Sequence, residues 1–215
     1  MLKLPCPSCG GEVEFRSRFS IFAVCSYCQS SLVRHDTNLE DLGKVAELQP
    51  DMSPWQIGAS GKYRGNFFYV AGRVIVGWRA GSWNEWYLTF DNGDSGWLAE
   101  AQGMYAINFP YKKEIPEIDQ LAKKAIGHKL MLGSNKNTFT LLDRKRMKCI
   151  GSEGELPFTG IEGRESLVLD FGNSAGGFLS IEMNEKDGNS VYLGEYLELK
   201  KLSPTGLKLF EGWVN

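Results

Sequence analysis

Four cysteines near the start of the chain have the residue type and the spacing of a metal site. Two residues separate Cys6 from Cys9, two separate Cys25 from Cys28, and fifteen residues lie between the pairs. Two intervening residues let both thiolates of a pair point into one tight turn, and two such turns supply four sulfur ligands in a tetrahedron. The sequence therefore predicts a four-cysteine zinc ribbon.

The completeness of this ligand set predicts a structural rather than a catalytic metal. A catalytic zinc keeps one coordination position for water or substrate, whereas thiolates are available here for all four. Ordering the segment costs ~1–2 kcal/mol of backbone entropy per residue, and structural zinc contributes about 10–16 kcal/mol in peptides of this kind. We therefore expect the ribbon to fold only with metal bound. Iron in a rubredoxin-like site uses the same ligands, so the sequence leaves zinc and iron open.

The composition of the chain limits the function classes. A formal net charge of −2 argues against nucleic-acid binding through bulk charge. Residues 111–148 nevertheless hold ten Lys/Arg against four Asp/Glu, and residues 149–215 hold five against eleven. The uncharged stretch 19–33 is shorter than the ~20 apolar residues that span a bilayer, and no secretory signal is visible. We expect a cytoplasmic protein with reduced thiols and no direct membrane insertion.

Aromatic and β-branched residues separated by glycine turns predict a mainly β fold after the ribbon. The linker carries a capping box at Thr37 and Glu40, which predicts a short helix. The lone Cys149 is predicted to be a buried strand residue. The predicted organisation is a zinc ribbon over 1–36, a linker with a short helix over 37–54, a first SH3-like β-barrel over 55–110, a connecting helix over 111–127 and a second SH3-like barrel over 128–215.

The second β segment repeats part of the first. Residues 86–99 align without a gap on residues 167–180, at an offset of 81, and five of the fourteen positions are identical. In both copies alternating apolar residues flank a turn, which is a hairpin pattern. The alignment favours a duplicated barrel, although hairpins also share turn residues for physical reasons.

The best candidate for a binding site is the aromatic and acidic cluster of Trp83, Glu85 and Tyr87. If this segment is a strand, Trp86 shares the other face with Leu88 and Phe90 and enters the barrel core. Trp83, Glu85 and Tyr87 are then expected to face outward. Aromatic anchors beside a charge are typical of protein contacts, and a carboxylate between rings also suits a cationic amine. The sequence contains no catalytic motif that we recognise, so we expect no enzymatic activity.

Three segments of the chain resemble the bacterial proteins grouped as domain of unknown function 4178. They read CPSCGGEVEFRSRFSIFAVCSYCQSSLVR, IGASGKYRGNFFYVAGRV and GSWNEWYLTFDNGDSGWLAE. The resemblance covers about residues 4–110 well and the C-terminal segment less specifically. The resemblance implies a zinc-ribbon and β-domain protein. Members are often encoded near membrane-stress proteins and polyamine-pathway enzymes, which implies a cytosolic component of a membrane-linked assembly.

Three functional hypotheses follow. The first is a non-enzymatic adaptor whose β-barrels bind protein partners, among them membrane-associated stress proteins. The second is a nucleic-acid-binding zinc-ribbon protein that contacts phosphates through residues 111–148 and three arginines of the ribbon, Arg16, Arg18 and Arg34. The third is a polyamine- or amine-sensing or modifying module that uses Glu85 with Trp83 and Trp86.

Overall fold

The computed structural model describes residues 1–44, 52–133, 137–158, 163–185 and 188–210. Strands dominate these residues, which confirms the prediction of a mainly β protein. The strands are β1 Leu2–Pro5, β2 Glu12–Phe15, β3 Phe22–Val24, β4 Ser30–His35, β5 Asn38–Lys44, β6 Ser60–Tyr63, β7 Asn66–Trp78, β8 Gly81–Phe90, β9 Ser95–Ala101, β10 Met104–Pro110, β11 Lys129–Leu132, β12 Asn137–Leu156, β13 Glu165–Gly172, β14 Gly177–Asn184 and β15 Gly188–Leu197. A short helix, α1, covers Ile118–Leu121, and a 3-10 helix covers Leu199–Leu202.

The ribbon consists of two hairpins, β1–β2 and β3–β4, and each carries one cysteine pair. The helix predicted after the ribbon is wrong where the structure describes it, because β5 occupies this segment and pairs with β4. Asp36 adopts a φ of 53°, which makes a tight turn between the two strands. Leu39 then packs on the ribbon core, whereas Leu42 is exposed. The remainder of the predicted helix, residues 45–51, lies outside the described residues.

Eight strands close into one antiparallel barrel. Strands β7 to β10 form one four-stranded meander, and β12 to β15 form another. Pairing of β7 with β12 and of β10 with β15 joins the two meanders on both sides. The prediction of two separate barrels is therefore corrected, since the edge strands of each half pair with the other half. A closed ring leaves none of these edges unpaired, and alternation within one half does not reveal this partner.

The two meanders are built alike, which is the arrangement predicted for a duplication. The aligned hairpins, β8–β9 and β13–β14, hold equivalent positions in them. The side chains of Asn92 and Asn173 accept the same backbone hydrogen bond from the residue two places on. The first strand of each meander also contains a register shift, which lies between Val70 and Gly72 in β7 and between Leu141 and Asp143 in β12. Each bulge moves the following side chains to the other face of the sheet.

Each meander packs an apolar core on its outer face. Trp86, Leu88 and Phe90 enter the first of these cores. Their burial on one face is as predicted, but the core lies outside the barrel rather than within it. The second core contains Phe139, Leu141, Leu169, Phe171, Leu179 and Ile181. Of the predicted connecting helix, one turn is helical, and its Leu121 packs on the second core. The inner faces of the two meanders are left to line the interior of the barrel.

The ribbon is joined to one end of the barrel. β3 pairs with the end of β12, and ribbon residues share an apolar cluster with Tyr87, Trp97 and the buried Cys149, whose burial was predicted. The buried carboxylate of Glu155 accepts backbone N–H bonds from Arg16 at 2.9 Å and from Ser17 at 3.2 Å. The ribbon therefore covers this end of the barrel and contacts it through specific polar bonds.

Candidate functional sites: a metal centre and an acidic cavity

The four ribbon cysteines form a geometry suited to a tetrahedral metal. Their sulfur atoms all lie within 4.8 Å of one another. The Sγ atoms of Cys6 and Cys28 are 3.7 Å apart, as are those of Cys9 and Cys25. A tetrahedron with metal–sulfur bonds of ~2.3 Å has sulfur–sulfur edges of about 3.8 Å. The donor set therefore fits a four-thiolate site that leaves no coordination position for water.

Two matching turns position these sulfurs. The amide of Gly10 donates to the carbonyl of Cys6 at 2.8 Å, and the amide of Gln29 donates to the carbonyl of Cys25 at 2.9 Å. Gly10 has a φ of 74° and Gln29 a φ of 61°, so both turns end in the left-handed region. Glycine suits this conformation, and the second turn adopts it without glycine. The backbone thus arranges both cysteine pairs in the same way.

The interior of the barrel encloses a cavity of about 400 Å³, to which all eight strands contribute side chains. This volume lies in the range of small-molecule sites, and eight-stranded barrels are wide enough to hold one small ligand. Charged residues line the cavity unusually densely. Among the described lining residues, four carboxylates face two basic groups, namely Glu85, Asp143, Asp170 and Glu182 against Lys145 and Arg164.

Most of these charges are held by partners across the second meander. Lys145 Nζ lies 2.7 Å from Asp143 and 3.7 Å from Asp170. Arg164 lies 3.4 Å from Glu182. Ser180 and Ser166 donate hydrogen bonds to Asp170 and Glu182, respectively. With all groups ionised, the two basic groups leave an excess of two negative charges in the lining.

Glu85 is the cavity carboxylate whose negative charge is least balanced by nearby basic groups. Trp83 Nε1 donates a hydrogen bond of 2.6 Å to its Oε1. Burial raises the pKa of Glu85 to about 8, and the nearby charges of Asp170 and Glu182 act in the same direction, whereas the Trp83 hydrogen bond and Lys145 oppose the shift. Its residual accessible surface opens into the cavity. The raised pKa favours the protonated form of Glu85 at neutral pH, and a cation placed beside the carboxylate would favour its ionisation.

Aromatic rings form much of the remaining wall. Trp97 packs against Tyr87 and stacks with Phe158. The ammonium of Lys145 lies 5.1 Å from the ring centre of Trp83 and 5.5 Å from that of Trp78. The protein thus already holds one ammonium group between indole rings and carboxylates, which is the chemistry that recognises organic cations.

The structure places the predicted site residues differently from the sequence. Trp83 and Glu85 line the cavity, and Tyr87 is buried on the same face, with its hydroxyl 3.2 Å from Ser17 Oγ. Their predicted outward orientation is wrong, because the second meander covers this face. Trp86 does not join them, since it lies in the outer core and donates to the buried Glu100.

Sequence reasoning missed the charged residues of the second meander. Asp170, Glu182 and Lys145 reach the same cavity from strands that lie far along the chain. The sequence did contain an indication of their position, because Asp170 and Glu182 alternate with the core residues Leu169 and Ile181 and therefore face the opposite side of the sheet. That signal becomes informative only when the barrel is known to close.

The three arginines proposed for phosphate contacts pack on aromatic rings. Arg16 lies 4.3 Å from the ring centre of Tyr69, and Arg34 lies 5.0 Å from that of Phe15. Arg18 lies 4.8 Å from the ring centre of the adjacent Phe19. Their role in nucleic-acid binding stays a prediction.

Comparison with known proteins identifies the family of the chain. A family model described as "Domain of unknown function (DUF4178)" matches residues 56–199, and the chain belongs to this family. The match covers the eight-stranded barrel and excludes the ribbon, whereas the resemblance seen in the sequence was most specific over residues 4–110. No curated protein and no solved structure matches the chain. Among the described residues, no helix is long and apolar enough to cross a membrane.

Proposed function

We propose that this member of the DUF4178 family binds a small organic cation bearing a primary ammonium group inside its barrel. The observation that carries the proposal is a cavity of about 400 Å³ in which Glu85, Asp170 and Glu182 converge from three strands between aromatic walls. An ammonium ligand would offset part of the negative charge of the lining and would pair with Glu85, which is otherwise protonated. This is the amine-binding hypothesis, with Asp170 and Glu182 in place of Trp86.

The chemistry of the lining favours a cation over an anion or a neutral ligand. Each basic group already has a carboxylate partner, Asp143 and Asp170 for Lys145 and Glu182 for Arg164. An added anion would face the carboxylates of Asp143, Asp170 and Glu182 in a poorly solvated space, where like charges repel strongly. Indole and phenol rings attract an ammonium through their faces. We therefore assign the site to recognition, with binding as its function.

Isothermal titration calorimetry tests the proposal directly. Butylamine and 1,4-diaminobutane are titrated at pH 8.5 into the full chain, with butanol as the uncharged control. We expect both amines to bind and butanol not to bind. Glu85→Gln should weaken amine binding by about tenfold or more, the value of a charge-assisted hydrogen bond. The exposed Glu114 lies outside the cavity lining, so Glu114→Gln is the matched control and should leave affinity unchanged. Binding of butanol as tight as that of butylamine would refute the proposal.

We further propose that the ribbon holds a structural zinc ion and that the protein works in the cytosol, where its thiols stay reduced. The separations of 3.7 Å between sulfur atoms and the complete set of four ligands support zinc in this role. The ribbon then stabilises the end of the barrel that it covers. The adaptor hypothesis loses its predicted contact surface, because Tyr87 is buried and Trp83 faces the cavity.

A further inference from the structure

One end of the cavity is rimmed by exposed apolar side chains. Trp78, Met104, Leu142 and Tyr196 all line the cavity, yet their exposed fractions lie between 43% and 62%. Trp78 and Leu142 belong to the side where β7 and β12 pair, and Met104 and Tyr196 to the side where β10 and β15 pair. The opposite end is packed by the apolar cluster that includes the ribbon. The cavity therefore opens through an apolar mouth.

The walls of the cavity differ in chemistry between the two meanders. The second meander supplies most of the charged groups. The first meander supplies a largely apolar wall, whose members include Val74, Val76, Trp83, Trp97, Ala99, Ala101 and Ala106 and whose polar members are Ser82, Glu85, Gln102, Tyr105 and Asn108. Glu85 pairs with Ala99, which pairs with Ala106, so two small side chains leave room beside the carboxylate.

An apolar path leads from Glu85 to the mouth along this wall. Glu85 lies four residues from Gly81, where β8 begins, which is about 13 Å at ~3.3 Å per residue. The side chains of Trp83 and Val76, which pair across β8 and β7, lie between them. From the opposite wall the ammonium of Lys145 contacts the rings of Trp83 and Trp78. Trp78 and Met104 lie at the outer end of this path. A short polar ligand held at Glu85 would leave this path in contact with water.

From these features we infer that the natural ligand is an amphiphilic amine, whose ammonium group lies at Glu85, Asp170 and Glu182 and whose apolar chain follows the first-meander wall to Trp78 and Met104. The inference rests on the proposed function and adds the class of ligand. The occupant of the apolar mouth is the chain of the ligand, because the mouth is continuous with the site that holds the ammonium.

The test varies the head group and the chain independently. Butylamine, octylamine, 1,4-diaminobutane and octanol are titrated into the full protein at pH 8.5, at concentrations below micelle formation. Each buried methylene group raises affinity by about three- to fourfold, so octylamine should bind on the order of 100-fold tighter than butylamine. The variant Met104→Gln should weaken octylamine binding by about threefold or more and leave butylamine binding unchanged.

Two further variants distinguish a contact with the alkyl chain of the ligand from a general effect of substitution on affinity. Met131 has an exposed fraction of 65%, close to the 62% of Met104, but lies outside the cavity lining. Met131→Gln is therefore the matched control and should leave octylamine affinity unchanged. Ala101 pairs with Met104 near the mouth, so Ala101→Leu fills part of the apolar wall away from Glu85 and should weaken octylamine binding more than butylamine binding.

The outcomes distinguish the two proposals. Equal affinities for butylamine, 1,4-diaminobutane and octylamine, or unchanged octylamine binding in Met104→Gln, would overturn the inference and leave the amine site standing. Octanol that binds as tightly as octylamine would overturn the proposed function and, with it, the inference. Failure of every amine to bind would overturn both.

Discussion

Amine binding by the barrel should release a proton from Glu85. The pKa of this carboxyl is raised to about 8, chiefly by burial, so about 90% of the empty protein is protonated at this residue at pH 7. An ammonium placed beside it stabilises the ionised form. We therefore expect about 0.9 protons to leave Glu85 for each ligand bound at pH 7.

The same linkage sets the pH dependence of the affinity. Removing the proton at pH 7 costs about 1.4 kcal/mol for one unit between the pH and the pKa. The amine affinity should therefore rise by up to about tenfold per pH unit below pH 8 and level off above it. It should fall again near pH 10, where a primary amine with a lysine-like pKa of ~10.4 loses its own charge.

Other groups face Glu85 from the neighbouring strands and shape this profile. Asp170 on β13 also has a pKa raised by burial and is held by Lys145 on β12. Glu182 on β14 adds negative charge, and burial raises the pKa of Tyr192 on β15 to about 12, so its hydroxyl stays neutral over the range of interest. Glu85 is consequently the group that we expect to titrate between pH 7 and 9.

Calorimetry in two buffers measures the released proton. Butylamine is titrated at pH 7 in phosphate and in MOPS, which has no primary ammonium group to compete for the site. Because the protonation enthalpies of the two buffers differ, the difference in apparent binding enthalpy gives the number of protons. Glu85→Gln should reduce that number to near zero and flatten the rise in affinity between pH 6 and 8. Equal binding enthalpies in the two buffers for the unmodified protein would refute the assignment of the proton to Glu85.

Three further predictions concern stability. Since the ionised form of Glu85 is disfavoured in the fold, the free energy of unfolding should fall as the pH rises from ~4.5 towards 8. In urea unfolding without ligand, Glu85→Gln should raise this free energy by up to about 3 kcal/mol at pH 7 and change it little at pH 4. Elemental analysis should find one zinc per chain. Removing the metal with a chelator, or the substitution Cys9→Ser, should increase amide hydrogen exchange in residues 1–44 more than in the barrel. Unchanged exchange in residues 1–44 would contradict a structural metal. Glu100→Ala should cost about 3 kcal/mol, because it leaves the indole N–H of Trp86 without its buried acceptor; a loss below about 1 kcal/mol in urea unfolding would contradict this role.

Local features of the chain were predictable because they depend on nearby residues. The clustering of the four cysteines followed from their spacing. The burial of Trp86, Leu88 and Phe90 in one apolar core followed from alternation along one strand. The helix over 37–54 failed because its capping box coincides with a tight turn at Asp36 that starts a strand pairing with β4. A local pattern thus gave the wrong element where a nearby tertiary partner was available.

The closure of the barrel depends on long-range pairing and left little local signal. β12 extends over 20 residues and pairs with β13 along one part and with β7 along another. Its residues 143–146 are all charged, so their polarity shows neither which side chains face inward nor which strand lies opposite. The orientation of the Glu85 side chain toward the barrel interior could not be predicted without knowing that pairing. For this reason the sequence led to Trp83 and Glu85 as a site but to the wrong side of the sheet.

The repeated hairpins separate what the fold needs from what the cavity needs. The identical positions in the two copies are turn residues or residues of the outer cores, such as Leu88 with Leu169 and Phe90 with Phe171. The cavity-facing positions differ throughout the aligned hairpins, and three lining pairs are Trp97 with Phe178, Ala99 with Ser180 and, just past the aligned segment, Ala101 with Glu182. Both meanders reach the same topology with different inner faces, so folding does not dictate the lining. A buried, poorly compensated carboxylate lowers stability, and its presence on a face that the fold leaves free is best explained by a cation that it binds.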